Sequence, residues 1–152
     1  PVELGVRFGV ATPGRVNSVT FHRAPGRGFS PGNPLSYEVR IWNEDTGQEL
    51  ARGLARISQN PTDGKMTGIL DRTVAVQPGV RYIASYHAPN GGYAISRGSL
   101  GNDGDRFFGV GAPVSTVFEG GVYAYGGPGT LPTNSYQQSH YWVDVRFFPD
   151  AQ

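Results

Sequence analysis

The sequence predicts an all-β domain, folded as a two-sheet antiparallel β-sandwich with a jelly-roll-like path. Glycine and proline supply 23 and 12 of the 152 residues, and no helical periodicity of useful length survives between them. Short segments instead alternate apolar and polar residues with the two-residue period of a strand. Turn residues separate these segments roughly every 8–15 residues, a spacing typical of sandwiches and barrels. An up-and-down barrel is the alternative architecture.

The first half of the chain contains four segments with strand periodicity. In the first, the apolar side chains at alternate positions from Val2 to Phe8 share one face. In the second, Val19 and Phe21 are expected to point inward. Each segment ends at glycine, proline, asparagine or aspartate, which favour turns. The four segments are residues 2–8, 17–22, 36–43 and 48–58.

The second half begins with a strand at 66–76 and a hairpin at 80–96 that is rich in tyrosine. Pro89-Asn90-Gly91-Gly92 is expected to reverse the chain within this hairpin. Residues 97–120 have no period and many glycines, which predicts a long functional loop. A short strand at 122–125 follows. The last strand, at 141–148, has alternate apolar residues from Val143 to Phe147 on one face.

Charge and composition exclude several classes of function. The net charge is +1, and the arginines are scattered, so nucleic acid is not an expected partner. The absence of cysteine excludes thiol catalysis, disulfides and thiolate metal sites. No apolar run approaches the ~20 residues needed to span a membrane. We expect residues 1–152 to form one domain, excised from a longer chain.

Aromatic side chains are the first candidate site. Strand alternation places Trp42 and Trp142 opposite the aliphatic residues of their strands, where an exposed ring could stack on a sugar. The alternative is that another segment covers both rings. A second group lies at strand ends or beside glycine-rich loops and could converge at one end of the domain, or could simply pack between sheets. It comprises Tyr86, His87, Tyr93, Tyr123, Tyr125 and Tyr136, with Asn90, Arg97 or Asp103 able to hydrogen-bond sugar hydroxyls.

Acidic residues suggest two further features. Asn102, Asp103 and Asp105 place three oxygen-bearing side chains in one loop, a ligand type that calcium prefers, although a solvated polar turn is the more common explanation of such residues. Glu3 and Asp144 are acids within apolar strands at the two ends of the chain. If those strands are neighbours, the two carboxylates need a cation or an arginine between them.

Catalytic patterns are missing from the sequence. No GxSxG elbow occurs, and His22, His87 and His140 lack the spacing of a zinc site. A small hydrolase or lyase would need a cleft that holds two carboxylates or a His–acid pair with perturbed pKa values. The sequence therefore predicts a domain that is not an enzyme.

Several sequence blocks together resemble the DUF4082 family, a bacterial domain of unknown function. They are ELGVRF at 3–8, VNSVTFHR at 16–23, GVRYIASYHAPNGGYA at 79–94, GVYAYG at 121–126 and SHYWVDVRF at 139–147. The resemblance implies an accessory module, extracellular or on the cell surface, beside other domains of a large exported bacterial protein. It implies no known ligand or catalytic residue.

The residues and the resemblance together predict a secreted carbohydrate-binding or adhesion module. Its partner would be a polysaccharide or a cell-surface glycan, held on exposed aromatic rings. No cofactor is required, although calcium fits the loop at 102–105. The alternative is a structural spacer or protein-interaction domain without affinity for glycans.

Overall fold

A computed structural model of the chain describes residues 1–22, 36–56, 65–89, 114–135 and 143–150. Within these ranges the chain forms only strands and turns, and no helix is long and apolar enough to cross a bilayer. The strands are β1 (Val2–Val10), β2 (Gly14–His22), β3 (Ser36–Asn43), β4 (Gln48–Arg56), β5 (Lys65–Val76), β6 (Tyr82–Ala88), β7 (Val114–Tyr125) and β8 (Val143–Pro149).

These strands form one antiparallel sheet in the order β7-β1-β6-β3-β4-β5-β2-β8, which curls into a half-barrel. The all-β prediction is confirmed. The predicted division into two sheets is not confirmed, because pairing of β3 with β4 and of β4 with β5 keeps the described strands in one sheet. The finer two-sheet and jelly-roll assignments stay predictions.

Irregularities in strand pairing account for the curl. In β2 the register shifts between Val16 and Ser18 on both edges, toward β5 and toward β8. A further shift separates Ile41 from Trp42 where β3 pairs with β4. Extra residues of this kind bend a strand and increase its twist. The sheet therefore curls until β2 lies across the core from β6.

The core fills the concave face of the half-barrel. Phe21 of β2 stacks on Tyr86 of β6, with ring centroids 4.0 Å apart and planes inclined by 6°. Val19 and Phe21 are fully buried, as the alternation predicts. Val143 is also buried, and Phe147 packs against the same cluster. The two-residue period in the sequence therefore identified the inward faces of β2 and β8 correctly.

Strand β6 is buried on both faces and bonded along both edges. Every residue from Tyr82 to Ala88 is buried. Its edges pair with β1 and with β3. The strand predicted to open the hairpin is confirmed as β6, and both of its edges are occupied over Tyr82–Tyr86. The predicted turn and return at residues 90–96 lie outside the described residues.

The long loop predicted at 97–120 is wrong for residues 114–120, which belong to β7. This strand pairs with β1 through Val10↔Val114 and Val6↔Gly121. An irregularity opposite Val6–Phe8 gives β7 extra residues between Thr116 and Gly121. Those residues interrupt the alternation, so the period could not be seen in the sequence. Residues 97–113 lie outside the described part of the chain.

We predict that Phe21→Ala lowers the free energy of unfolding by about 3–5 kcal/mol, because it leaves a cavity where the ring meets Tyr86. Phe21→Leu keeps most of the volume and should cost far less. Urea unfolding followed by tryptophan fluorescence measures both. Equal losses for the two variants would contradict the assigned packing.

Candidate functional site: a buried polar cluster

Alternate residues of β1, β3 and β6 point away from the core and form a second face of the sheet. The register sets Glu3 beside His87, and Ser85 beside Arg40. Trp42 follows two residues after Arg40 on β3 and shares this face. We call these five residues the polar cluster. All five are buried, although they lie on the face opposite the core.

Glu3 accepts a hydrogen bond from Ser85, which in turn accepts one from Trp42. The indole Nε1 lies 2.9 Å from Ser85 Oγ, and Ser85 Oγ lies 2.8 Å from Glu3 Oε1. The indole nitrogen can only donate, and a serine hydroxyl has one hydrogen. That hydrogen therefore points at Glu3, and the direction of the whole chain is fixed.

The second carboxyl oxygen of Glu3 faces His87. Glu3 Oε2 lies 3.1 Å from His87 Nδ1. Either a protonated Glu3 donates to the imidazole, or the imidazole donates to the carboxylate. The Glu3 side chain is fully buried and His87 is 4% exposed. The two groups form an acid–imidazole pair that holds its hydrogen bond out of water.

Arg40 supplies the positive charge of the cluster. Its Nε donates to Glu49 at 2.7 Å and its Nη2 to Glu38 at 3.1 Å. Glu49 is also bound by Arg52 at 2.7 Å. Arg40 Nη1 lies 3.7 Å from Glu3 Oε1, beyond a hydrogen bond, and has no acceptor among the described residues. The guanidinium is therefore hydrogen-bonded to the carboxylates of Glu49 and Glu38, and it lies close to Glu3 without binding it.

Burial changes the pKa of both members of the acid–imidazole pair. Burial raises the pKa of Glu3 from 4.5 to about 7, although the Ser85 hydrogen bond and the Arg40 charge act to lower it. Burial also lowers the pKa of His87 below its ordinary 6.5, and the Arg40 charge acts in the same direction. Each group is therefore biased toward its neutral form.

Residues 126–135, which we call the covering segment, lie over this face. Leu131 packs against Trp42 and Ile83. Thr133 offers its carbonyl oxygen to Arg7 Nη2 at 3.2 Å. A β carbon placed on Gly129 would lie 3.9 Å from Arg40 Nη2, so this turn of the covering segment lies near the guanidinium. The covering segment explains why side chains on this outer face are dry.

The geometry suits proton sharing better than nucleophilic catalysis. The Ser85 hydrogen points at Glu3, so the hydroxyl is not activated by the imidazole as a catalytic serine would be. The described residues contain no group of three histidine or acidic side chains placed to hold a metal ion. The cluster can hold, release and redistribute a proton around a buried carboxyl.

Two of the rings expected to face solvent are buried. Trp42 does point away from the core, as predicted, but it is 4% exposed because Leu131 covers it and Ser85 binds its N–H. Tyr86 is 1% exposed because it points into the core and stacks on Phe21. The expected exposure of both rings is therefore wrong, and His87 is buried as well.

Tyr125 is 73% exposed, in agreement with the expected solvent-facing platform. It packs edge to face on the half-buried Tyr123, with ring centroids 5.5 Å apart. The remaining candidates lie outside the described residues. These are Asn90, Tyr93, Arg97, Tyr136 and Trp142, and the calcium candidates Asn102, Asp103 and Asp105.

Glu3 and Asp144 are not neighbours, which corrects the expectation for the two ends of the chain. β1 lies between β7 and β6, whereas β8 pairs with β2 at the other edge of the sheet. Glu3 instead stands near Arg40. Arg7 binds Glu44, and Arg146 lies over the ring of Phe148 at 5.1 Å.

Three residues of interest were missed by the sequence analysis. Arg40 and Ser85 could not be linked to Glu3 without knowing that β1, β6 and β3 are adjacent. Asn134 forms an isolated antiparallel bridge with Tyr123 and is exposed. Paired residues of an antiparallel bridge project to the same side, so Asn134 shares the face of Tyr123 and Tyr125.

We predict that the wild-type protein loses stability relative to Glu3→Gln as pH rises from 5 to 8. The folded protein retains a proton on Glu3 that the unfolded chain releases near pH 4.5. The stabilisation is complete below that pH and is lost as pH rises through the folded pKa of about 7. The full difference is about 3 kcal/mol. Urea unfolding at several pH values measures it.

Two comparisons keep this prediction specific. Asp71→Asn removes an exposed carboxyl from β5 and should leave the pH dependence unchanged. The lowered pKa of His87, caused chiefly by burial, gives stability that grows with pH, so it has the opposite sign to the loss expected from Glu3. A constant difference between those two proteins from pH 5 to 8 would show that Glu3 ionises normally.

Comparison with known proteins adds the family of the chain. No curated protein matches the sequence. The family model described as "Domain of unknown function (DUF4082)" matches residues 1–143, nearly the whole chain and every strand up to the start of β8. The resemblance found in the sequence blocks is confirmed, and the protein belongs to the DUF4082 family.

Proposed function

We propose that this domain is a non-catalytic accessory module that binds carbohydrate and belongs to a secreted or cell-surface bacterial protein. The location and the presence of neighbouring domains follow from the family resemblance. Calcium at residues 102–105 and the two-sheet jelly-roll form remain parts of the same proposal.

The observation that carries the proposal is the exposed aromatic ring at the end of β7. Tyr125 is 73% exposed and is braced by the ring of Tyr123. Asn134 projects to the same side through its bridge to Tyr123 and is exposed. A flat apolar ring beside a free amide can stack on a sugar and bind its hydroxyls.

The polar cluster supports a binding module over an enzyme. It has the His–acid pair with perturbed pKa values that a hydrolase would need. However, Glu3 and His87 are buried, and the Ser85 hydroxyl donates to Glu3. A substrate has no access to these atoms in the described arrangement, whereas Tyr125 is open to a ligand.

A structural spacer or protein-interaction domain is the second candidate. It is favoured by the burial of Trp42 and Tyr86, two aromatic rings that the carbohydrate hypothesis expected at the surface. Both rings hold the sheet together instead. This candidate predicts no affinity for glycans and leaves Tyr125 for contact with a neighbouring domain.

We predict that Tyr125→Ala weakens polysaccharide binding at least about tenfold, a loss of about 1.4 kcal/mol. The reason is loss of the stacking surface. Tyr125→Phe keeps the ring and should retain most of the affinity. The measurement is a glycan array followed by titration calorimetry on the best ligand, with and without calcium.

Phe148→Ala is the matched control, since it removes an exposed aromatic ring from β8, far along the sheet order from β7. It should leave the affinity unchanged. Absence of binding to every polysaccharide in both conditions would reject the carbohydrate proposal in favour of the spacer. Equal affinity for wild type and Tyr125→Ala would move the site away from β7.

A further inference from the structure

The acid–imidazole pair can exist in two proton states. In the first, Glu3 and His87 share one proton across the 3.1 Å between Oε2 and Nδ1. In the second, the pair has lost one proton to solvent: the shared proton stays on Nδ1, the imidazole releases its Nε2 proton, and the Glu3 carboxylate accepts a hydrogen bond from the neutral imidazole. No bond between heavier atoms forms or breaks. The second state places one uncompensated negative charge in the interior of the sheet.

Arg40 is the group placed to compensate that charge. Its Nη1 is 3.7 Å from Glu3 Oε1 and has no acceptor among the described residues, although the side chain is only 3% exposed. An unpaired donor in such a dry place is costly. A shift of about 1 Å would bring Nη1 to hydrogen-bond distance from the carboxylate. Arg40 would then move away from Glu38, whose bond to Nη2 is already 3.1 Å.

This movement of Arg40 would change the surroundings of the covering segment. Gly129 lies near Arg40, since a β carbon added to it would be 3.9 Å from Nη2. Gly129 has a φ of +85°, a conformation that other residues rarely adopt. Any side chain there would meet the guanidinium. A displacement of Arg40 therefore changes the environment of Gly129 in the covering segment.

We propose that Glu3, His87 and Arg40 form a proton-operated latch beneath the covering segment, in which loss of one proton from the acid–imidazole pair draws Arg40 toward Glu3 and away from Glu38 and Gly129. The carboxylates of Glu38 and Glu49 hold the guanidinium in the protonated state.

The other charges near the pair set how the latch responds. From β3 the pair faces Arg40 and Glu38, and from β4 it senses Glu49. Arg52 neutralises part of the Glu49 charge. The described side chains of β7 on this face, Val122 and Ala124, carry no charge. The negative charges of Glu38 and Glu49 oppose ionisation of Glu3, and the positive charge of Arg40 favours it.

The latch has a consequence for the proposed carbohydrate site, and this consequence rests on the proposed function. The covering segment starts immediately after Tyr125 and contains Asn134. Tyr125 is therefore joined to the covering segment, Asn134 is part of it, and the covering segment lies near Arg40. Glycan affinity should change with pH across the same range in which the latch titrates.

The test is a pH titration of the isotopically labelled protein by NMR, from pH 5 to 9, without ligand. We expect the Glu3 carboxyl carbon, the Arg40 Nε and the Gly129 amide to change with one common midpoint near 7, the pKa that burial gives Glu3. Glu3→Gln should abolish the transition at Arg40 and Gly129. Ser85→Ala removes a donor to the carboxylate and should raise the midpoint by about 0.5–1 pH unit.

Glu44→Gln is the matched control, because Glu44 binds Arg7, which holds the covering segment at Thr133, and does not touch the pair. Its midpoint should equal that of wild type. A different midpoint at Gly129 than at Glu3, or a transition that persists in Glu3→Gln, would overturn the latch. If Glu3→Gln does not fold, an unchanged midpoint in Ser85→Ala overturns it. A common transition without glycan binding would uphold the latch and reject only the carbohydrate proposal.

Discussion

Burial of the Glu3 carboxyl is the constraint on which the rest of the second face depends. A carboxyl removed from water must be hydrogen-bonded, neutralised by a cation or protonated. The structure gives Glu3 two hydrogen-bond partners, Ser85 and His87, and an arginine nearby. Strand register puts Ser85 and His87 of β6 beside β1, and puts Arg40 of β3 beside Ser85. The pairing of β1, β6 and β3 is therefore also the assembly of the polar cluster.

The same three strands explain why the outer face is dry. Antiparallel sheets commonly expose one face to water, and β4 does so, with Arg52 and Leu54 exposed. Over β1, β6 and β3 the covering segment takes the place of water, with Leu131 against Trp42 and Ile83. This exclusion of water raises the pKa of Glu3 and lowers that of His87. Packing by residues distant in sequence thus decides the proton chemistry of the site.

The period of two predicted the strands and the inward faces well, because alternation is a local property of the chain. Val19, Phe21 and Val143 needed no tertiary information to be assigned to the core. The polar cluster, in contrast, could not be assembled without tertiary information. Glu3 and His87 are 84 residues apart and meet only because β1 lies between β6 and β7. The pattern marks Glu3 as an unusual acid within an apolar strand, but it does not identify the partner of Glu3, because strand order does not follow from pattern. Trp42 was placed on the correct face, yet its burial depends on a segment that no local signal connects to it.

The insertion of β1 between β6 and β7 also constrains how the molecule is made. Among the strands of this sheet β1 is synthesised first, and both of its pairing partners are encoded after residue 81. It cannot find a neighbour until those partners have been synthesised, and closing such long loops slows folding. During that interval the apolar face of Val2, Leu4, Val6 and Phe8 has no partner strand. An unpaired segment of this kind is a site at which nascent chains associate with one another, so newly made protein should be most vulnerable to aggregation before β6 and β7 emerge.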